Sequence, residues 1–307
     1  MQTILGAGGA VGKSLASELK SYTSEIRLVS RNPKAVNPSD QLMKADLTNP
    51  EQVDLAVAGS EIVYLTVGLE YNIKVWQAQW PVIMRNVTDS CKRHNARLVF
   101  FDNVYMYDRD YMGNMTEATP IRPTSKKGEV RAGIEAMLKK EIESGRLKAL
   151  IARSADFIGT TNSTLVEVVY KNFLKGKKVN WFSRTDKIHS FTHTLDAARG
   201  TAMLGNTPDA YGEVWHLPTS SERLTGKDWI NLFAKEMNVK PGITALPDWM
   251  LGLLGLFIPV MKELKEMAYQ FDRDYFFNSS KFNTRFGYQP LTPEEAVKML
   301  LRDLQMK

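Results

Sequence analysis

Residues 2–20 read QTIL, then GAGGAVG, then KSLASELK, and this stretch decides the fold. Gln2–Leu5 has the composition of a short strand, Gly6–Gly12 is a glycine turn, and Lys13–Lys20 is rich in helix formers. Strand, turn and helix follow one another in the order that a phosphate-binding βα unit requires. The glycines at 6, 9 and 12 permit a tight turn, close backbone approach to a pyrophosphate, and close packing of helix on strand. The first turn of the helix then offers unpaired N–H groups and a partial positive charge to an anion. Gly6, Ala7, Gly9, Ala10, Val11 and Gly12 are therefore the expected pyrophosphate cradle.

Outward from this unit the alternation continues. Ile26–Ser30, Gln41–Lys44, Glu61–Leu65, Arg97–Phe101 and Leu147–Arg153 read as strands, and helical stretches from Asn49-Pro50, over Val75–His94 and over Lys127–Ser144 lie between them. Strands regularly separated by helices imply right-handed crossovers, hence an α/β fold with a doubly wound parallel sheet of the Rossmann type. After Gly159 the regularity lapses. Ser163–Lys175 looks helical, Val179–Ser183 and Ile188–Thr192 look like strands, Leu195–Leu204 a helix, Glu213–Leu217 a strand and Gly226–Met237 a helix, with a mostly helical tail from Pro247. The expected division is a dinucleotide-binding domain over 1–159, rejoined by 186–217, and a smaller, mostly helical substrate lobe over 160–185 and 218–307.

Composition narrows the function classes. The chain has one cysteine, Cys91, so no intramolecular disulfide can form, and no charged segment followed by an apolar one precedes the first glycines; both point to the cytoplasm. The net charge of +6 is spread among acidic residues without a basic block, which argues against nucleic acid as a partner. Trp249–Met261 is apolar but interrupted by Gly252, Gly255 and Pro259, and it is too short for a stable membrane span. It reads as a lobe or lid helix, with contact at a membrane surface as the other reading. His189 and His193 have no cysteine or carboxylate cluster at ligand spacing, so no metal is expected. Neither a Gly-x-Ser-x-Gly elbow nor a P-loop is present, which excludes the corresponding hydrolases and kinases.

The end of the second strand bears on the cofactor. Folds that prefer NAD place an acidic residue there against the ribose 2′-hydroxyl, whereas this chain reads Leu28-Val29-Ser30-Arg31-Asn32. Arg31 suits the 2′-phosphate of NADP, with Ser30 and Asn32 as further donors, and NADP is expected ahead of NAD. Asp46 and Leu47 stand where adenine would be bordered, although Asp46 could equally cap the helix that Pro50 begins. Val67 and Gly68 follow the fourth strand and are expected near the cofactor.

Beyond the glycine turn, the chain carries FFDNVYMYD at 100–108, Thr116-Glu117, Pro120-Ile121-Arg122-Pro123, RSADFIG at 153–159 and HSFTHTLDAAR at 189–199. On these residues it resembles the extended short-chain dehydrogenases, the NAD(P)-dependent epimerase/dehydratase family that includes nucleotide-sugar epimerases. The resemblance spans nearly the whole length and implies hydride transfer on a small-molecule substrate, a site that includes Phe157, and helices that can pack across a two-fold axis in a homodimer. The family's chemistry rests on Ser or Thr plus Tyr-x-x-x-Lys, and this chain departs at every one of those positions. Alignment on Glu135 puts Lys127 at the tyrosine, Arg131 at the lysine and Asn103, next to Asp102, at the Ser/Thr.

The run Lys127-x-x-x-Arg131-x-x-Ile134-Glu135 is also similar to the motif of atypical isoflavone-reductase-like and phenylpropene-synthase-like reductases, in which a lysine serves at the tyrosine position. Lysine can act as a general acid or base where burial or a neighbouring cation tunes it. Arginine stays charged, so Arg131 is expected to bind ribose or phosphate. Lys127 is accordingly the expected catalytic residue and a second ribose contact. Asn103 is expected to orient the substrate carbonyl or hydroxyl, and Tyr105 and Tyr107 are rival proton donors. Against the catalytic reading stand a solvated Lys126-Lys127 pair at a helix start, and a non-catalytic NADP-binding regulator that has lost the Tyr/Lys pair.

Overall fold

The computed structural model describes residues 1–246, 263 and 265–306. The chain begins β1 (Gln2–Leu5), α1 (Gly12–Leu19), β2 (Ile26–Ser30), β3 (Gln41–Lys44), α2 (Pro50–Val57), β4 (Ile62–Leu65), α3 (Ile73–Arg93) and β5 (Arg97–Asp102). It continues through α4 (Lys126–Glu143), β6 (Ala149–Arg153), β7 (Asp156–Ile158), α5 (Lys171–Leu174), β8 (Val179–Phe182), β9 (Phe191–His193) and α6 (Thr194–Gly205). Last come β10 (Val214–His216), α7 (Gly226–Met237), β11 (Ile243–Leu246), α8 (Ser280–Phe286) and α9 (Pro293–Gln305).

Seven strands form one parallel sheet in the order β10-β6-β5-β4-β1-β2-β3. The order reverses direction at β1, next to β4, so the crevice at their carboxyl ends is where a doubly wound fold receives its ligand. The inner strands β1 and β4 are buried at every position, as a sheet covered on both faces requires. Leu5, Val29, Val63, Leu65, Leu98 and Phe100 from the strands pack with Trp76, Trp80, Ile83, Met84 and Val87 of α3. The Cys91 thiol lies in the same core, and burial pushes its pKa well up.

The molecule divides into two compact units. The first comprises Met1–Tyr105, Lys127–Ser154 and Ala197–Leu217, and the second Met106–Lys126, Ala155–Asp196 and Pro218–Lys307. Residues 106–126 thus group with the second unit, where Tyr107 bridges Ile121 and Met115 bridges Phe277. So do residues 155–159, because β7 leaves the main sheet and pairs in parallel with β9. The second unit has its own core, built on Leu165, Val169, Trp181, Phe191, Trp229, Phe233 and Leu300.

Two elements differ from the pattern read in the sequence. The helix over Ser163–Lys175 is a π-helical turn at Leu165–Tyr170 that continues into α5. A strand that the sequence pattern did not mark, β11, lies ahead of Pro247 and pairs with β8, and the described part of the tail holds α8 and α9. The apolar stretch Trp249–Met261 lies outside the described residues.

Candidate dinucleotide and catalytic site

Gly6 and Gly12 of the first turn each have a separate steric reason. Gly6 sits at φ 100°, and a Cβ there would run into the backbone of Val67. A Cβ on Gly12 would stand 2.6 Å from the Ala7 carbonyl oxygen, so only glycine lets α1 start against the turn. Gly9 donates its N–H to the Gly6 carbonyl at 2.9 Å and closes the turn on itself. Gly8 is exposed, with nothing within 4 Å of where a Cβ would be. Val11 is the N-cap of α1 and provides no side-chain hydrogen bond, and the first turn has no acidic residue. The N–H groups at the start of α1 therefore have no side-chain cap and no competing carboxylate, and the turn fits a pyrophosphate.

At the end of β2 the side chains suit the ribose end of such a ligand. Arg31 and Asn32 are exposed, and the Ser30 hydroxyl is buried without a hydrogen-bond partner among the described residues. Asp46 is exposed, and its carboxyl is held below the usual range by the Thr48 N–H first, then by the Thr48 hydroxyl, with the Arg31 charge adding to it. Asp46 thus shapes the entry to α2 and is also an electrostatic neighbour of Arg31. The cap of α2 itself is Asn49, which accepts from the Gln52 N–H. Leu47 points into the core at 7% exposure. Val67 is half-buried against the core and Gly68 is exposed beside it, both just past β4.

The catalytic candidates of the first unit stand at the carboxyl end of β5 and on the first turns of α4. Asn103 accepts the Tyr105 N–H on its side-chain oxygen at 3.1 Å and donates its own N–H to Asp102 Oδ1 at 2.8 Å. Tyr105 is half-buried, and its ring stacks on Trp76 at 6.1 Å. Lys127 is fully buried, with Nζ 4.6 Å from the centre of the Tyr71 ring. A solvated lysine pair therefore does not describe it: Lys126 is exposed and Lys127 is inside.

Arg131, expected at the ribose, is instead turned into the core at 3% exposure. Its guanidinium lies over the rings of Trp80 at 4.4 Å and Phe100 at 5.0 Å, and it donates through Nε (2.8 Å) and Nη2 to Asp102 Oδ1. Asp102 Oδ2 in turn accepts from Arg153 at 3.2 Å, and Arg153 donates to Glu135 Oε2 at 2.7 Å. Two arginines and two carboxylates, joined at the edge by Lys139 on Glu135 Oε1 at 2.8 Å, make a buried lattice that ties α4 to β5 and β6. The physical reason for the departure from expectation is that a second carboxylate, Asp102, stands within reach of Arg131 inside the sheet.

Phe157 and Tyr107 belong to the second unit. Phe157 is half-buried on β7, and Tyr107 is buried. His189 there pairs through Nε2 with Asp156 at 2.9 Å and is stacked between Phe271 and Tyr275. Tyr71 and Trp76, which flank Lys127 and Tyr105, went unread in the sequence. The signal was the aromatic run over Tyr71, Trp76 and Trp80, which looks like ordinary core spacing unless the facing cations on α4 are considered.

A strand, a glycine turn closed by steric necessity and an uncapped helix start define a dinucleotide-binding Rossmann protein. The sequence model of the NAD dependent epimerase/dehydratase family matches residues 3–217, and the chain belongs to that enzyme family. Among solved structures, UDP-glucose 4-epimerase of Thermus thermophilus, in complex with NAD, is similar with TM-score 0.80 and 15% identity over 99% of each chain. dTDP-glucose 4,6-dehydratase of Bacillus anthracis, also with NAD, has TM-score 0.80 and 15% identity over 100% of this chain and 96% of its own. A monomeric L-threonine 3-dehydrogenase from a metagenome, in its apo form, has TM-score 0.78 and 16% identity over 100% and 99% of the two chains. At these identities the likeness shows the fold. Among curated proteins no sequence matches. Among the described residues, no helix is long and apolar enough to cross a membrane.

Proposed function

We propose that this protein is an NADP(H)-dependent oxidoreductase of the family, reducing a carbonyl or oxidising a hydroxyl on a small molecule. The observation that carries the cofactor choice is exposed Arg31 at the end of β2, where the strand itself ends in no carboxylate. A guanidinium there suits a 2′-phosphate through charge-assisted hydrogen bonds. NAD is the second reading, favoured by Asp46, whose carboxylate already engages the Arg31 charge.

When bound, the dinucleotide would supply hydride chemistry at its nicotinamide. The Gly6–Gly12 turn and the start of α1 would hold its phosphates, and Arg31 with Ser30 would hold its ribose end. Lys127 would give a proton from Nζ to the carbonyl oxygen of the substrate, so that reduction would yield an alcohol. The Asn103 amide N–H group orients that oxygen, its own carbonyl being occupied by Tyr105 N–H. Tyr105 packs against Trp76, which supports a wall role in preference to proton transfer. A single, buried cysteine supports a reducing compartment such as the cytoplasm.

Calorimetric titration with NADPH and separately NADH, on the wild type and on Arg31→Ala, tests the cofactor. NADPH is expected to bind more tightly, with the preference lost in Arg31→Ala; equal binding in the wild type overturns the assignment. NADPH oxidation against a carbonyl panel that includes nucleotide sugars then tests the chemistry. Lys127→Ala should lower turnover by about 10²–10⁴-fold, the range for a general acid. Cofactor binding without turnover on the panel would favour a regulator that senses the dinucleotide.

A further inference from the structure

Arg131 departs from the family motif, Asp102 stands next to a second departure at Asn103, and the geometry joins the two. Arg131 is 3% exposed and Asp102 2%. The guanidinium is packed against the rings of Trp80 and Phe100, and its edge is taken by Asp102. Turning the Nε and Nη2 edge towards a ligand would require the arginine to abandon a buried carboxylate, which is strongly unfavourable. A lysine at this position could not replace the fork, because it is a point charge with no planar face to lay against the rings.

The same carboxylate touches both sides of the candidate site. Asp102 Oδ1 accepts from Arg131, which stands one helical turn after Lys127 on the same face of α4. It also accepts the N–H of Asn103, the first residue of the loop after β5. Oδ2 is tied to β6 through Arg153, whose other partner, Glu135, stands on α4 a turn beyond Arg131. The hub thus fixes the turn that carries Lys127 and the start of the loop that carries Asn103, while Glu135 balances the second arginine.

We propose that Asp102 and Arg131 act as one coupled positioning unit that orients Lys127 and Asn103, and that Arg131 makes no contact with the dinucleotide. The orienting part rests on the reading that Lys127 and Asn103 act on substrate; the coupling and the absence of a cofactor contact do not. In this chain the fourth residue after the motif's first position has moved from cofactor binding to core construction.

Four variants of the full chain test this: Arg131→Lys, Arg131→Met, Asp102→Asn, and the double variant Asp102→Asn/Arg131→Met. In thermal melts Asp102→Asn and an Arg131→Met control should each lose several degrees, and the double variant clearly less than their sum, since it removes one charge of each sign and leaves Arg153 with Glu135. Additive losses would overturn the coupling. By calorimetry, folded Arg131→Lys should bind the dinucleotide that the wild type prefers within about twofold of wild type; a tenfold or greater loss would make Arg131 a ligand and overturn the second half. If the wild type binds neither dinucleotide, the functional reading fails while the melts still decide the coupling. With a substrate from the carbonyl panel, the double variant should lose tenfold or more in kcat with the KM for the dinucleotide unchanged. An unchanged kcat would reduce the pair to scaffolding and overturn the positioning role.

Discussion

Gly6 combines a left-handed φ of 100° with backbone contact to Val67, so two costs fall on any side chain there. Gly6→Ala should cost at least the strain of about 1–3 kcal/mol typical of such a conformation, and it should displace the loop after β4. Differential scanning calorimetry checks this; a midpoint equal to wild type would mean the turn relaxes without penalty. This glycine was legible in the sequence because the neighbouring strand and helix state what the turn must do. Lys127 was legible only as a position in a motif. That it is buried while Lys126 is exposed follows from which side of α4 faces the sheet, and the few residues flanking it do not fix that phase. The ion pair of Arg131 was not legible for a related reason: its partner Asp102 is 29 residues away in the chain, and the pairing depends on how α4 is laid against β5 and β6.

The helices of the second unit end and begin on signals that spacing alone reveals. Thr225 accepts the Asp228 N–H and Asp228 accepts the Thr225 N–H, and Thr292 and Glu295 repeat the arrangement at the start of α9, where Pro293 takes the first helical position. Thr292→Ala should lower stability by about 0.5–2 kcal/mol, the usual loss for such a cap, and denaturant unfolding measures it. A value near zero would show that packing of Val297 and Leu300 on the core holds α9 unaided. The inner strands β1 and β4 of the main sheet were legible from apolar runs because they are buried at every position, whereas β3 at the edge is largely exposed. The three-residue strands β7 and β9 were not read at their observed bounds, since three residues carry too little periodicity to distinguish a strand from a loop. The π-helical turn at Leu165–Tyr170 has the same apolar spacing as an α-helix and differs only in its hydrogen-bond ladder, which sequence does not display.

For the molecule as a whole, the parallel sheet was dictated by the alternation of strand and helix, whereas its partition into two units was set by long-range pairing. Residues 106–126 and 155–196 follow the second unit because their bridges and strand partners lie there, and no local feature announces it. Cys91 gives the first unit a built-in clock. The thiol is wholly buried on α3 and is the chain's single cysteine, so a thiol reagent reads one site and reads it only when that core opens. A dinucleotide that binds only the closed form, at about 100 times its dissociation constant, withdraws the open form by about 2.7 kcal/mol, a factor of about a hundred. Labelling of Cys91 under native conditions should slow by that factor with the preferred dinucleotide, and an unchanged rate would mean that the core opens without releasing the ligand. The one cysteine sulfur, which takes no part in the chemistry, thereby keeps time for the part of the fold that does.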